Sequence, residues 1–96
     1  MEEDRSAESI PLLQAEVRQL HQAIASHMVV DQAIGVVIVL GRLAPEQGWD
    51  VLKEVSQHTN TKLRAVAEQV VESMHGKELP ASTRGALDTA LARTRP

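Results

Sequence analysis

Residues 33–43 read Ala-Ile-Gly-Val-Val-Ile-Val-Leu-Gly-Arg-Leu, "AIGVVIVLGRL", the most apolar run in the chain and one dominated by β-branched side chains. A strand, a membrane segment and a buried helix all fit that composition, and the flanking residues choose between them. Asp31 and Arg42 bracket only ten residues, about half the length that a helix needs to cross a bilayer. No Gly, Pro or turn cluster separates the run from the periodic segment before it, so a strand would have to begin in mid-helix. Nor does a second strand-like stretch exist for it to pair with, and β propensity is weak against such context. The expectation is a helix, buried nearly all round, ending near Gly41.

Upstream, Ile10, Leu13, Val17, Leu20, Ile24 and His27 recur at alternating spacings of three and four, and Pro11 suits a first helical turn. β-Branched residues at 10, 17 and 24 with Leu at 13 and 20 favour two parallel strands, with Leu13, Val17, Leu20 and Ile24 as the dimerisation seam. Two readings stay open: an intermolecular coiled coil, and an amphipathic helix packed on its own domain. Met1 to Ser9 is polar and charge-rich, a terminus expected to fray.

Downstream, Pro45 and Glu46 open a second helix whose stripe is Gly48, Val51, Leu52 and Val55, flanked by Trp49 and ending around Gln57. Asn60 offers an N-cap to a third, carrying Leu63, Val66, Ala67, Val70, Val71 and Met74 before Gly76. After Leu79-Pro80, residues 82–94 form a weaker helix with Ala86, Leu87, Ala90 and Leu91 as its thin apolar face. The expected fold class is all-α.

Ninety-six residues make one small domain whose modest burial predicts reliance on a partner chain. There is no cysteine, so neither a disulfide framework nor a thiolate metal site is available. Trp49 is the only aromatic, so the base-stacking platforms of single-strand RNA binders cannot be built, and an RRM-like or OB-like reader is not expected. A net charge of −3 argues against coating nucleic acid through bulk charge and leaves room for a local basic patch. The acidic N-terminus lacks the pattern of a signal peptide, so the expected location is cytoplasmic, with no membrane partner.

Chemistry-bearing constellations are sparse. His21, His27, His58 and His75 lack the i, i+4 spacing that presents two metal ligands on one helix face. No Gly-rich phosphate loop, nucleophile elbow or convergent carboxylate pair occurs, so neither an enzyme nor a small-molecule substrate, metal or cofactor is expected. The segment Ser56 to Arg64, "SQHTNTKLR", is more informative. A helix N-terminus attracts phosphate, and Lys62 and Arg64 add charge there; Lys53 and Arg42 are candidates to join them. The alternative is a cap followed by a solvated face, with Arg64 paired to Glu68.

Taken together, Ala33-x-Gly35, Gly48-Trp49-x-x-Leu52-Lys53-x-x-Ser56 and Asn60-x-Lys62-Leu63-Arg64-x-Val66-Ala67 resemble the ANTAR domain of bacterial transcription antitermination regulators. The resemblance covers roughly residues 27–79. It places Ala33, Gly48 and Ala67 at tight helix crossings and Trp49 at a packing position. It implies a three-helix domain joined to a parallel coiled coil, which binds paired RNA hairpins in a nascent transcript and keeps a terminator from forming. Ile34 stands where the family usually carries lysine and His27 where arginine is common, so two phosphate contacts are missing and weaker RNA binding is expected. Ala44 stands where a Ser or Thr cap is usual.

The organisation expected is therefore a disordered terminus (1–9), a coiled-coil dimerisation helix (10–26), an ANTAR-like domain (27–79) and a C-terminal tail with a short helix (80–96), without a receiver domain. The function expected is RNA-binding antitermination by a homodimer, with Lys62, Arg64, Asn60 and Lys53 contacting RNA. The rival is a protein-interaction or dimerisation module that engages itself or a sensor protein and binds no RNA.

Overall fold

A computed structural model describes the backbone of residues 2–94 and the side chains of residues 10–94. The described residues form four helices, α1 (Glu2–Gly41), α2 (Pro45–Thr59), α3 (Leu63–Ser73) and α4 (Ala81–Thr94), and no strand. At 1.5 Å per residue, α1 alone is about 60 Å long, and it accounts for the longest dimension of the molecule, 65 Å. The side chains of the terminus expected to fray, residues 1–9, lie outside the described residues. Pro11, expected in a first turn, falls inside α1.

The apolar run is helical and continuous with the heptads, as its flanks require. The C-terminal part of α1 is the central helix of a bundle in which α2 and α3 pack on α1, and α4 packs on α2. Val30, Ala33 and Val37 of α1 meet Val51, Leu52 and Val55 of α2, and Val66, Ala67 and Val70 of α3. Leu43, Leu87, Ala90 and Leu91 close the same core.

Burial nearly all round is not what the structure has. Only the flank of α1 holding Val30, Ala33 and Val37 is covered, while Met28 is 58% and Val39 77% exposed on the other side. Hydropathy records that both flanks are apolar and leaves open which one this chain covers. The same composition gives Ile10–Gly41 a window of mean hydropathy 1.9, long and apolar enough to cross a bilayer. Only 11% of that window is buried; its covered flank packs on α2 and α3, with Asp31 exposed beside it.

From Ile10 to Ala25 the helix stands clear of the bundle. Ile10, Leu13, Val17, Leu20 and Ile24 are all about half exposed or more, so the seam does not pack on its own domain. Close approach of α1 and α2 depends on Gly48, whose missing Cβ would lie 2.9 Å from Ile38 Cγ1. Ala33 and Ala67 are fully buried, in keeping with small residues at the crossings.

Two details depart from expectation. α2 runs to Thr59, one turn's fraction past Gln57, and Met74 is not part of the α3 stripe: it caps the C-terminus and is exposed. Ala44 makes no side-chain cap, but its N–H donates to Gln47 Oε1 at 2.9 Å, so one of the two bonds of a capping box survives. α4 is pinned by more than its apolar face. The buried Thr83 donates from Oγ1 to Gln69 Oε1 at 2.7 Å, and Arg93 pairs with Glu54 of α2.

Candidate functional site

The link between α2 and α3 sets the position of every candidate contact. Asn60, expected to cap α3, instead ends α2 in the left-handed conformation (φ 51°), with its N–H turned back to Gln57 O at 3.3 Å. Asparagine suits both roles, since its short amide tolerates positive φ and can also cap. Ser56 fixes the turn from the other side: its hydroxyl donates to Thr61 O at 2.6 Å, while Thr61 N–H donates to Ser56 O at 3.1 Å.

Lys62 is therefore the residue that precedes α3, and no side chain caps that end. The Thr61 hydroxyl is turned away from it, donating to Thr59 O at 3.1 Å. The first turn of α3 carries no acidic residue. Its first N–H groups therefore lack a side-chain cap, and the exposed Lys62 and Arg64 stand beside the positive end of its dipole.

Arg64 is held at two points. Its Nε donates to Glu68 Oε1 at 2.9 Å, the pair foreseen at i, i+4, and its Nη1 donates to Ser26 Oγ of α1 at 3.3 Å. The second bond spans two helices and lays the guanidinium across the α1–α3 junction. Beneath it lies an open groove of about 290 Å³ lined by Ser26, His27, Val30, Trp49, Leu63 and Arg64.

Trp49 is more than the packing residue expected. It is 39% exposed, one side of it lines this groove, and Lys53 Nζ sits 5.8 Å from its ring centroid. At that distance a cation interacts with the ring quadrupole. The sequence signal for Trp49 was its place at the margin of the α2 stripe, next to Gly48, and a margin position is compatible with both a core and a rim.

The structure thus joins Arg64, Trp49, Lys53 and His27 at one end of the bundle, with Lys62 two residues before Arg64. Asn60 is exposed at the neighbouring turn. Arg42 does not join them, because it follows Gly41, about 22 Å along α1 from Ser26. Ile34 lies one turn past Val30, half-buried against Gly48 with Cγ2 3.2 Å from where a Cβ would stand, so at this position the side chain packs the α1–α2 crossing. Among the described residues, no group of three or more His, Cys, Asp or Glu is placed to hold a metal ion.

The ANTAR domain family matches residues 18–71. Among solved structures, the chain is similar to one described as "Structure of an RNA-binding Light-Oxygen-Voltage Receptor", with a TM-score of 0.64 and 28% sequence identity over 97% of this chain. The chain spans 26% of the length of that receptor. No curated protein matches. Since the family match takes in more than half of its residues, this chain belongs to the ANTAR domain family.

Proposed function

We propose that the chain is an RNA-binding regulator of transcription in the bacterial cytoplasm, which engages paired hairpins of a nascent transcript and prevents a terminator from forming. The observation that carries this reading is the placing of Lys62 and Arg64 together at the uncapped start of α3, on a chain whose net charge is −3, with Lys53 beside the Trp49 ring that shares a groove with Arg64. Family membership and the RNA-binding receptor that shares the fold support it. Lys62 and Arg64 take phosphate, Lys53 contributes a weaker contact, and Asn60 touches RNA from the turn.

The same reading makes the protein a homodimer through the exposed seam of α1, so that two domains meet two hairpins. Hairpin loops present unstacked bases that a few side chains can read, so a single basic spot per domain suffices. A second reading is favoured by a specific observation, the bare outer flank of α1 with Met28 and Val39: a protein-interaction module that engages a sensor protein through that flank.

Fluorescence anisotropy of a labelled tandem-hairpin RNA, titrated at low and moderate salt, separates the two. RNA binding predicts saturable affinity that falls steeply with salt and is lost in Lys62→Ala/Arg64→Ala. A folded protein that leaves the RNA free at low salt would sink this reading and favour the second.

A further inference from the structure

We infer that the groove beneath Arg64 is a nucleobase subsite, in which an unpaired base of the bound RNA stacks on Trp49 while its phosphate is held by Arg64 and Lys53. The inference rests on the RNA reading above and adds what that reading lacks, a means of recognising a base rather than a backbone.

Several independent features of the groove point to this occupant. Trp49 is the only aromatic residue of the chain, and it is placed at the surface with 39% exposure instead of in the core. Burial of a ring so large ordinarily stabilises a small domain, so its position at a groove wall is costly unless something covers it. At about 290 Å³ the groove lies at the small end of the range for ligand sites and suits one planar ring system.

Its floor is apolar, with Val30 and Leu63, and its rim carries Arg64 and His27, so a flat apolar-faced group with an adjoining negative charge is complementary to it. Arg64 donates to Ser26 Oγ across the groove's edge, which keeps its guanidinium at the rim, and Glu68 is the exposed partner that a phosphate would displace. Lys53 Nζ lies 5.8 Å from the Trp49 ring centroid, so a second positive charge adjoins the ring that forms the groove wall. Stacking on one aromatic ring is tolerant of base identity, so selectivity in this subsite is for an unpaired base over a paired one.

The lone tryptophan is also the reporter. Intrinsic emission of the full-length protein is followed while a hairpin RNA with 2-aminopurine in its loop is added, and anisotropy of the same RNA carrying a fluorescent label is followed separately. The result expected is saturable quenching of both Trp49 and 2-aminopurine with the affinity seen by anisotropy, and no Trp49 quenching by a blunt duplex of equal length. Trp49→Leu, which keeps an apolar side chain without the ring, should weaken hairpin binding about tenfold or more and leave its salt dependence unchanged.

Hairpin binding by anisotropy with unchanged Trp49 emission, or full affinity in a folded Trp49→Leu protein, overturns the subsite and leaves the RNA reading standing. Absence of binding in both channels overturns the RNA reading and the subsite with it. If Trp49→Leu does not fold, the emission measurement on the unaltered chain still decides.

Discussion

Ile38 and Gly48 meet where a methyl group does not fit: a Cβ on Gly48 would stand 2.9 Å from Ile38 Cγ1, with Ile34 Cγ2 at 3.2 Å and Ile34 O at 3.3 Å. Glycine inside a helix costs about 1 kcal/mol relative to alanine, and here that cost permits the α1–α2 approach. Gly48→Leu should therefore destabilise the fold by about 1–3 kcal/mol through overpacking. Gly48→Ala should be unfavourable in the unaltered chain and neutral or favourable in an Ile38→Ala background. Denaturant unfolding of the four proteins in that cycle measures the coupling, and additive effects would mean that the crossing is not a contact.

α4 lies beyond the matched residues 18–71, yet it supplies Leu87, Ala90 and Leu91 to the core. If α4 is part of the cooperative unit, Leu87→Ala should cost about 2–5 kcal/mol of global stability. Thr83→Val should cost about 1 kcal/mol through its lost bond to Gln69. Thermal unfolding by circular dichroism reads both, and an unchanged melting temperature in Leu87→Ala would show that α4 frays independently.

Much of this fold is legible in particular residues. Gly48, Val51, Leu52 and Val55 form one stripe because their spacing is helical, and all four are buried. Gly41 ends α1 as expected. What escaped the reading has a physical cause in each case. Asn60 satisfies the requirements of an N-cap and of a left-handed C-terminal residue equally well, and only the Ser56–Thr61 bonds decide between them. Val39 and Val37 are indistinguishable by hydropathy, although one is bare and the other buried. Arg64 was legible as the partner of Glu68 but not of Ser26, because a contact between residues so far apart in sequence leaves no local signal.

The Arg64–Glu68 pair is exposed on both sides, 46% each, so its loss should shift stability by less than about 1 kcal/mol. Its effect on binding should be larger. Glu68→Gln removes a carboxylate from the edge of the groove and releases Arg64 from it, so hairpin affinity should rise, most at low salt where screening is weakest. Affinity measured across a salt series checks this, and a decrease in Glu68→Gln would mean that Glu68 positions Arg64 for binding instead of competing for it.

Ile34 offers a test of the missing lysine. It is half-buried beside Gly48, one turn past Val30 on the flank of α1 that carries the groove. A lysine there can lay its aliphatic stem over the crossing and extend its ammonium to water. Ile34→Lys should accordingly keep the fold, tighten hairpin binding and steepen its salt dependence by the share of about one phosphate contact. Unfolding of the variant would show that the β-branched side chain is required by the crossing. A stable variant with unchanged affinity would place the RNA path away from this flank.

The stalk of α1 carries the last expectation. Leu13, Val17, Leu20 and Ile24 form an apolar seam along α1 that is about half exposed or more at each position. Two such seams in parallel bury each other, and β-branched residues alternating with leucine favour a pair over a larger bundle. Sedimentation of the unaltered protein should give a dimer, and Leu13→Glu/Leu20→Glu a monomer whose bundle, packed well away from these positions, melts as before. Linking two RNA-binding domains raises the effective concentration of the second for a neighbouring hairpin. The monomeric variant should then lose its advantage for tandem over single hairpins while binding a single hairpin as well as the dimer does. Equal loss on single and tandem RNA would place the seam in the RNA contact itself, and a variant that still sediments as a dimer would move the interface to the Met28–Val39 flank.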